Sequence, residues 1–303
     1  VRDLAQKDSC ERPITWDGLV LEVITTGAAM TGASQTKTIH EFLAENPNVD
    51  VSEAHEALWN IISELKDRTE ALFPVERQAA CEGLEYWSTD DGTWQGSMNT
   101  FTGPGVEHMA LTWIGNPRAS IVDVSFQVFL GPETDVPHFI QDFGLIPDLF
   151  HYSELIPRRD VMVDLDYLNR YYEPDNVDFL ELRGDPRVTW SVSHGVYMRA
   201  FNSPNCHSYT MERTPEMIDV LRESVLKRFE RWVGWIQDAT PVPEAERPSL
   251  MKRDHVVREF AYTQDPMNAI SERMLGKERT QRMLDVRYGK AQIEEAERAA
   301  GLQ

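Results

Sequence analysis

The residues best able to do chemistry are carboxylates set among apolar or aromatic neighbours. Asp142 ends the run His138-Phe139-Ile140-Gln141-Asp142, and Phe143 follows it. Strand alternation puts His138, Ile140 and Asp142 on one face and Phe139 and Phe143 on the other. A carboxylate there loses hydration, which suits it to deliver a proton near neutrality. An exposed or hydrogen-bonded strand carboxylate explains the same pattern. Asp265 precedes Pro266 between two helical stretches. It reads as an acid, or as a helix N-cap with Pro at the first helical position. Arg199, in Tyr197-Met198-Arg199-Ala200-Phe201, falls in an apolar run predicted as a strand. A buried Arg needs a carboxylate, from the chain or from a ligand.

Other chemistry is missing. No Gly-rich loop lies between a strand and a helix, and the spacings of zinc proteases, calcium loops and nucleophile elbows are absent. His151 with Glu154, and His138 with Asp142, offer paired metal ligands, but such pairs are common by chance, so no metal is expected. Cys10, Cys81 and Cys206 are far apart and odd in number, which predicts free thiols in a reducing compartment.

These residues must be held by elements the pattern also predicts. Thr38 to Phe73 reads as helical, with Leu58, Ile61, Ile62 and Leu65 as its buried stripe. The first 36 residues read as irregular. From Trp94 the period becomes two, predicting strands over 94–101, 106–114, 120–130, 138–143 and 158–164. In Ile121–Leu130 the even positions are apolar, while Asp123, Ser125 and Gln127 are odd, so one sheet face meets water or a ligand. Ser125 and Gln127 are therefore candidate substrate contacts. A short helix is predicted over Leu165–Tyr172, then strands over 187–191, 195–202 and 206–211. Thr214-Pro215-Glu216 opens a long helix, and the tail after Pro241, Pro243 and Pro248 is helical. The connections are too short for helical crossovers, so the sheet should be mainly antiparallel. The fold class is α+β, with helices flanking one central sheet. One domain over 1–303 is expected, its portion 1–92 helical.

Charge narrows the partners. The 303 residues hold 30 Lys or Arg and 50 Asp or Glu, a net charge of −20. That balance argues against nucleic acid and anionic membranes. No apolar stretch is long enough to span a bilayer. The N-terminus lacks the apolar core of a secretory signal, and with no initial Met a removed transit peptide stays open. Residues 251–303 hold 10 basic and 9 acidic groups, so the tail is near +1 and the rest carries −21. Lys277, Arg279, Arg282, Arg287 and Lys290 cluster in the tail. They read as a solvated helix face or as a landing site for an acidic partner.

Several segments together resemble the red chlorophyll catabolite reductases and their relatives, the ferredoxin-dependent bilin reductases. They are Ser120–Phe143; Pro157-Arg158-Arg159-Asp160 leading to Asp166–Tyr172; Tyr197–Pro204; and Lys252-Arg253-Asp254 through Asp265-Pro266 to Leu275-Gly276. They occur in order over about residues 93–290. The resemblance implies an α/β/α sandwich around an antiparallel sheet. It also implies reduction of an open-chain tetrapyrrole, with no bound flavin, metal or nicotinamide. Electrons would arrive singly from ferredoxin, protons would come from side chains, and the substrate would pass through radical states. Asp265 matches the acid of the family's C-terminal segment. Asp142 matches a position where close relatives carry Glu, so the carboxylate is one methylene shorter. Asn202 matches a position that is Phe in some relatives and is a candidate substrate contact. His138 could relay protons, and Arg158 or Arg199 could pair with propionates. Ferredoxin would dock at Lys277, Arg279, Arg282 and Arg287. A homodimer is compatible with the resemblance. The compartment would be the chloroplast stroma in a photosynthetic eukaryote and the cytoplasm otherwise. Two other readings stay open: a pigment-binding protein without turnover, and a reductase of a small non-tetrapyrrole substrate with a flavoprotein donor.

Overall fold

In a computed structural model, residues 30–33, 51–116, 119–146, 148–193 and 195–301 are described. They form a ten-stranded sheet with helices on both faces. Strand β1 (Met30–Ala33) is followed by helix α1 (Ser52–Leu72). Then come β2 (Glu76–Arg77), β3 (Tyr86–Thr89), β4 (Gln95–Gly103), β5 (Val106–Asn116), β6 (Ile121–Leu130), β7 (His138–Ile146) and β8 (Asp148–Ile156). Helices α2 (Leu165–Tyr171) and α3 (Glu173–Arg183), strand β9 (Val188–Trp190), helix α4 (Val196–Phe201) and strand β10 (His207–Met211) follow. The chain closes with α5 (Pro215–Gln237), α6 (Arg247–Thr263), α7 (Asn268–Leu275), α8 (Lys277–Arg287) and α9 (Lys290–Ala299). The order is β1-β3-β4-β5-β6-β7-β8-β10-β9, with β2 on β4. Every pair is antiparallel, as short connections require.

Alternation along β6 and β7 divides the molecule. Val122, Val124, Phe126, Val128, Phe139 and Phe143 face one way, into the main core beneath α1 and α5. Leu58, Ile61, Ile62 and Leu65 of α1 and Leu221, Val225, Phe229 and Trp232 of α5 fill that layer. Each such side chain contributes about 1.5–3 kcal/mol by leaving water. Phe139 meets Phe229 edge-on at 5.4 Å, and Trp232 donates its indole N–H to the Pro137 carbonyl at 2.8 Å. Thr214 caps α5 as its type and position predict, accepting from the Met217 N–H at 3.2 Å. Helices α6 to α9 cover the opposite face. Phe129 and Ile140 pack there with Tyr262, Tyr288 and Ile293, and a second cluster joins Trp87 and Met98 to Leu275 and Val286. Between these two apolar patches the sheet surface is polar.

Three expectations about elements are corrected. Residues 158–164 are a turn, and their apolar Met162 and Val163 are exposed. The strand is instead β8, whose alternation is hidden by inward His151, Ser153 and Glu154. Each of these has partners: His151 bonds Tyr209 and Gln141, and Ser153 bonds Gln141 and Arg228. Within 195–202 the chain forms α4 (Val196–Phe201), a helix that leaves Val196 and Tyr197 exposed. Residues 30–33 are a strand, not irregular. The start of the predicted first helix, 38–50, lies outside the described residues.

Candidate functional site

The polar strip is built by register. Ser125 of β6 lies opposite Asp142 of β7, which lies opposite Tyr152 of β8. Directly opposed side chains start about 4.5–5.5 Å apart, so the three form a row. Gln127, Ile140 and Glu154 form the next row on one side. On the other side Asp123 faces Gly144, which has no side chain to cover it. Above the rows α6 supplies Tyr262, the turn before α7 supplies Asp265, and the last residue of α8 is Arg287.

Hydrogen bonds tie these together. Gln127 donates to Ser125 Oγ at 2.8 Å, and the Tyr262 hydroxyl donates to Gln127 Oε1. Arg287 Nη2 lies 3.1 Å from Ser125 Oγ and 3.5 Å from Asp142 Oδ1, and its guanidinium stands 5.3 Å from the Tyr262 ring centre. Tyr152 donates to Asn202 Oδ1 at 3.2 Å. Asp265 Oδ1 accepts from the Met267 N–H at 2.9 Å, so it caps the turn into α7 while standing near the acids.

The electrostatics separate the acids. Burial, and then the neighbouring Asp142, push Asp123 up to about 7, with Arg287 opposing. Burial likewise raises Asp265, with Asp142 adding to the rise. Glu154, fully buried, is also raised, although it accepts from the N–H groups of Leu155 and Ser203. A carboxyl that keeps its proton to about pH 7 can give it up during catalysis. Among the described residues, no cluster of three or more His, Cys, Asp or Glu side chains is arranged to hold a metal ion.

Of the residues the sequence singled out, Asp142, Asp265, Ser125 and Gln127 come together here, with Asn202 at the edge through Tyr152. Arg287 belongs here too: its guanidinium turns inward toward the acids instead of out to a docking face. Lys277 and Arg282 are exposed on the outer side of α8, beside an open groove of about 610 Å³, and Arg279 is half-buried. Arg282 also donates to the Glu82 carbonyl at 2.7 Å.

Three candidates are placed elsewhere. Arg158 is 1% exposed; it donates from Nε and Nη2 to Asp254, at 2.9 and 2.6 Å, and from Nη1 to two backbone carbonyls. Four of its five N–H donors are used within the chain and the side chain is buried, so it is tied to Asp254 and the backbone and not turned toward the strip of acids. His138 is buried beside Phe129; its Nδ1 accepts from the Leu130 N–H at 3.0 Å, and Nε2 lies 3.5 Å from Asp254. Burial and then Arg158 lower it to about 4, so it is neutral and part of this buried pair, not a relay to Asp142. Arg199 is exposed on α4 and donates to the Ser193 carbonyl at 2.7 Å.

Sequence reading missed Asp123, Tyr152 and Tyr262 as site residues. Asp123 had a signal, its place on the polar positions of β6. Tyr262 had none, because only the fold brings α6 over β6.

Comparison with known proteins finds relatives in sequence and in fold. Red chlorophyll catabolite reductase of Hordeum vulgare is 27% identical over 181 residues, which is 55% of this chain and 88% of that protein. The chloroplastic red chlorophyll catabolite reductase 1 of Oryza sativa subsp. japonica is 26% identical over 155 residues, 47% of each chain. The chain thus spans most of the first relative and about half of the second. A crystal structure of tomato phytochromobilin synthase in complex with biliverdin shares the fold, with a TM-score of 0.68 at 16% identity over 78% of this chain and 83% of that one. The red chlorophyll catabolite reductase (RCC reductase) family model matches residues 54–287, and the chain belongs to that family.

Proposed function

We propose that this chain reduces a carbon–carbon double bond of an open-chain tetrapyrrole, red chlorophyll catabolite or a bilin. The observation that carries the reading is the strip of three acids, Asp123, Asp142 and Asp265, set around Arg287 on one face of the sheet. Family membership and the biliverdin-bound relative support the pigment as substrate. Each double bond needs two electrons and two protons. The electrons come singly from reduced ferredoxin, with no cofactor bound to the chain, and the pigment passes through radical states. Asp142 and Asp265 give the protons, and Asp123 stands behind Asp142 as a store. Ser125, Gln127 and Asn202 offer polar contacts to the pigment. Ferredoxin docks at Lys277, Arg279 and Arg282 on the outer side of α8, and the name of the rice relative supports a chloroplast location.

The test is anaerobic incubation with red chlorophyll catabolite or biliverdin, reduced ferredoxin and a ferredoxin reductase. Bleaching of the pigment's long-wavelength band is expected. Tight binding with no spectral change for any linear tetrapyrrole would leave a pigment-binding protein instead. Asp265→Ala separates the roles of that residue: turnover should fall by about two orders of magnitude, the usual scale for losing a proton donor. Unchanged turnover would make Asp265 a cap alone.

A further inference from the structure

Proton donation by the acids does not account for the position of Arg287. Its guanidinium lies on the central row, at 3.1 Å from Ser125 Oγ and 3.5 Å from Asp142 Oδ1. The ion pair is long, since charge-assisted pairs settle near 2.7–2.9 Å. It uses one nitrogen, and the buried Nε–H has no partner among the described residues. The backbone that carries Arg287 is fixed instead. His108 Nε2 donates to the Arg287 carbonyl at 2.9 Å, and Gly289 lies against the His108 ring. A weakly paired side chain on a fixed backbone can change partners without moving its helix.

The groups acting on it are Asp142 from β7, Tyr262 from α6, Asp123 from β6 and Asp265 from the turn before α7, and Tyr152 of β8 and Arg258 of α6 border the same cluster beside Asp142 and Tyr262. Arg258 is itself held by Glu107 at 3.0 Å. Arg287 is thus the cation that offsets three crowded acids. If it turns to another oxygen, like charges in a partly dry site repel, and protonation relieves them.

We propose that Arg287 couples pigment binding to proton loading: a pigment oxygen takes its N–H donors from Asp142, and the Asp123–Asp142–Asp265 cluster gains one proton from solvent. In the exchange, the guanidinium–carboxylate contact breaks and a guanidinium–pigment contact forms. One H⁺ passes from water to a carboxylate, and no electron moves. The cluster then carries more protons when a pigment is present to receive one than when the site is empty. This rests on the tetrapyrrole reading above.

Proton uptake is measured with a pH-indicator dye in weakly buffered solution near pH 7, without ferredoxin, on mixing the full chain with biliverdin or its dimethyl ester. Wild type should take up a measurable fraction of a proton, up to about one, per bound pigment, and its pigment affinity should fall as pH rises, as linkage then requires. Uptake with the free acid alone identifies a carboxylate as the oxygen; uptake with both identifies a lactam carbonyl; each supports the coupling. Arg287→Gln should bind pigment with uptake reduced at least about fivefold, Arg287→Lys should keep most of it, and Asp142→Asn should lower it with Arg287 in place. Wild-type binding without uptake, or full uptake in Arg287→Gln, would overturn the coupling and leave the reductase reading standing. Failure of biliverdin, its dimethyl ester and red chlorophyll catabolite all to bind would overturn both.

Discussion

Asp123 shows what burial and a like-charged neighbour together do to a carboxyl. Its raised affinity comes first from burial and then from Asp142, so it holds a proton where an ordinary aspartate has lost it. The sign follows directly. A carboxyl whose folded value is raised stabilises the fold below its unfolded value, near 4, and that contribution is lost as pH rises through about 7. Wild type should therefore lose stability relative to Asp123→Asn across that window, read as diverging urea midpoints. A constant difference from pH 4 to pH 8 would refute the assignment. Asp254 has the opposite sign. Burial works against its charge, but Arg158 and then His138 hold it down to about 2, so its contribution is present above about 4 and fades toward acid. Arg158→Met should cost about 3–5 kcal/mol, as expected when one partner of a buried ion pair is removed. Pigment affinity in the folded fraction should stay unchanged; a selective loss of affinity would restore Arg158 to the substrate. Asp142 and Asp265 were legible from the sequence because their types and flanks mark them. Arg158, Arg199 and Arg287 lie elsewhere than the sequence suggested, because a sequence does not show which Arg is buried or where its fork points.

At the scale of elements, α8 joins inside to outside. Lys277 and Arg282 look outward from its first turns, and ten residues beyond Lys277, about 15 Å along the axis, Arg287 reaches the acids. Gly289 ends the helix in the left-handed region at φ 71°, and a Cβ there would sit 2.8 Å from His108 Nδ1. Gly289→Ala should cost more than the roughly 1–2 kcal/mol of a left-handed Cβ, because the ring must also shift. The same change should lower turnover further than Tm predicts, since His108 holds the Arg287 carbonyl. Activity that simply follows stability would refute that link. Strands β4 to β7 and helices α1, α2 and α5 were readable from the apolar period and the turn and cap residues of their sequences. Strand β8 and helix α4 were not: β8 hides polar side chains that its neighbours satisfy, and α4 shows apolar ones to solvent.

For the whole molecule, the charge of −20 matters through its distribution. An acidic electron donor is repelled by most of the surface and is least opposed near the tail helices. Reversing Lys277 and Arg282 to Glu together should slow ferredoxin-driven turnover several-fold at low salt, with the gap closing as salt approaches physiological strength. Turnover driven by a small chemical reductant should be unaffected. Equal slowing with both donors would place the effect in the fold, since Arg282 also holds the Glu82 carbonyl. The class of fold was legible because short connections leave only antiparallel pairing, whereas the meeting of α6, α8 and β6 depends on contacts 130 or more residues apart and leaves no local trace. The antiparallel register also limits how the chain length can change over evolution. Ser125, Asp142 and Tyr152 share a row only because β6, β7 and β8 keep step. One residue inserted or deleted within a strand, without a bulge to absorb it, would turn Phe143 toward the helices and bury an acid beneath α5. Viable gains and losses of sequence should therefore collect in turns such as 131–137, while the strands between them keep a fixed length.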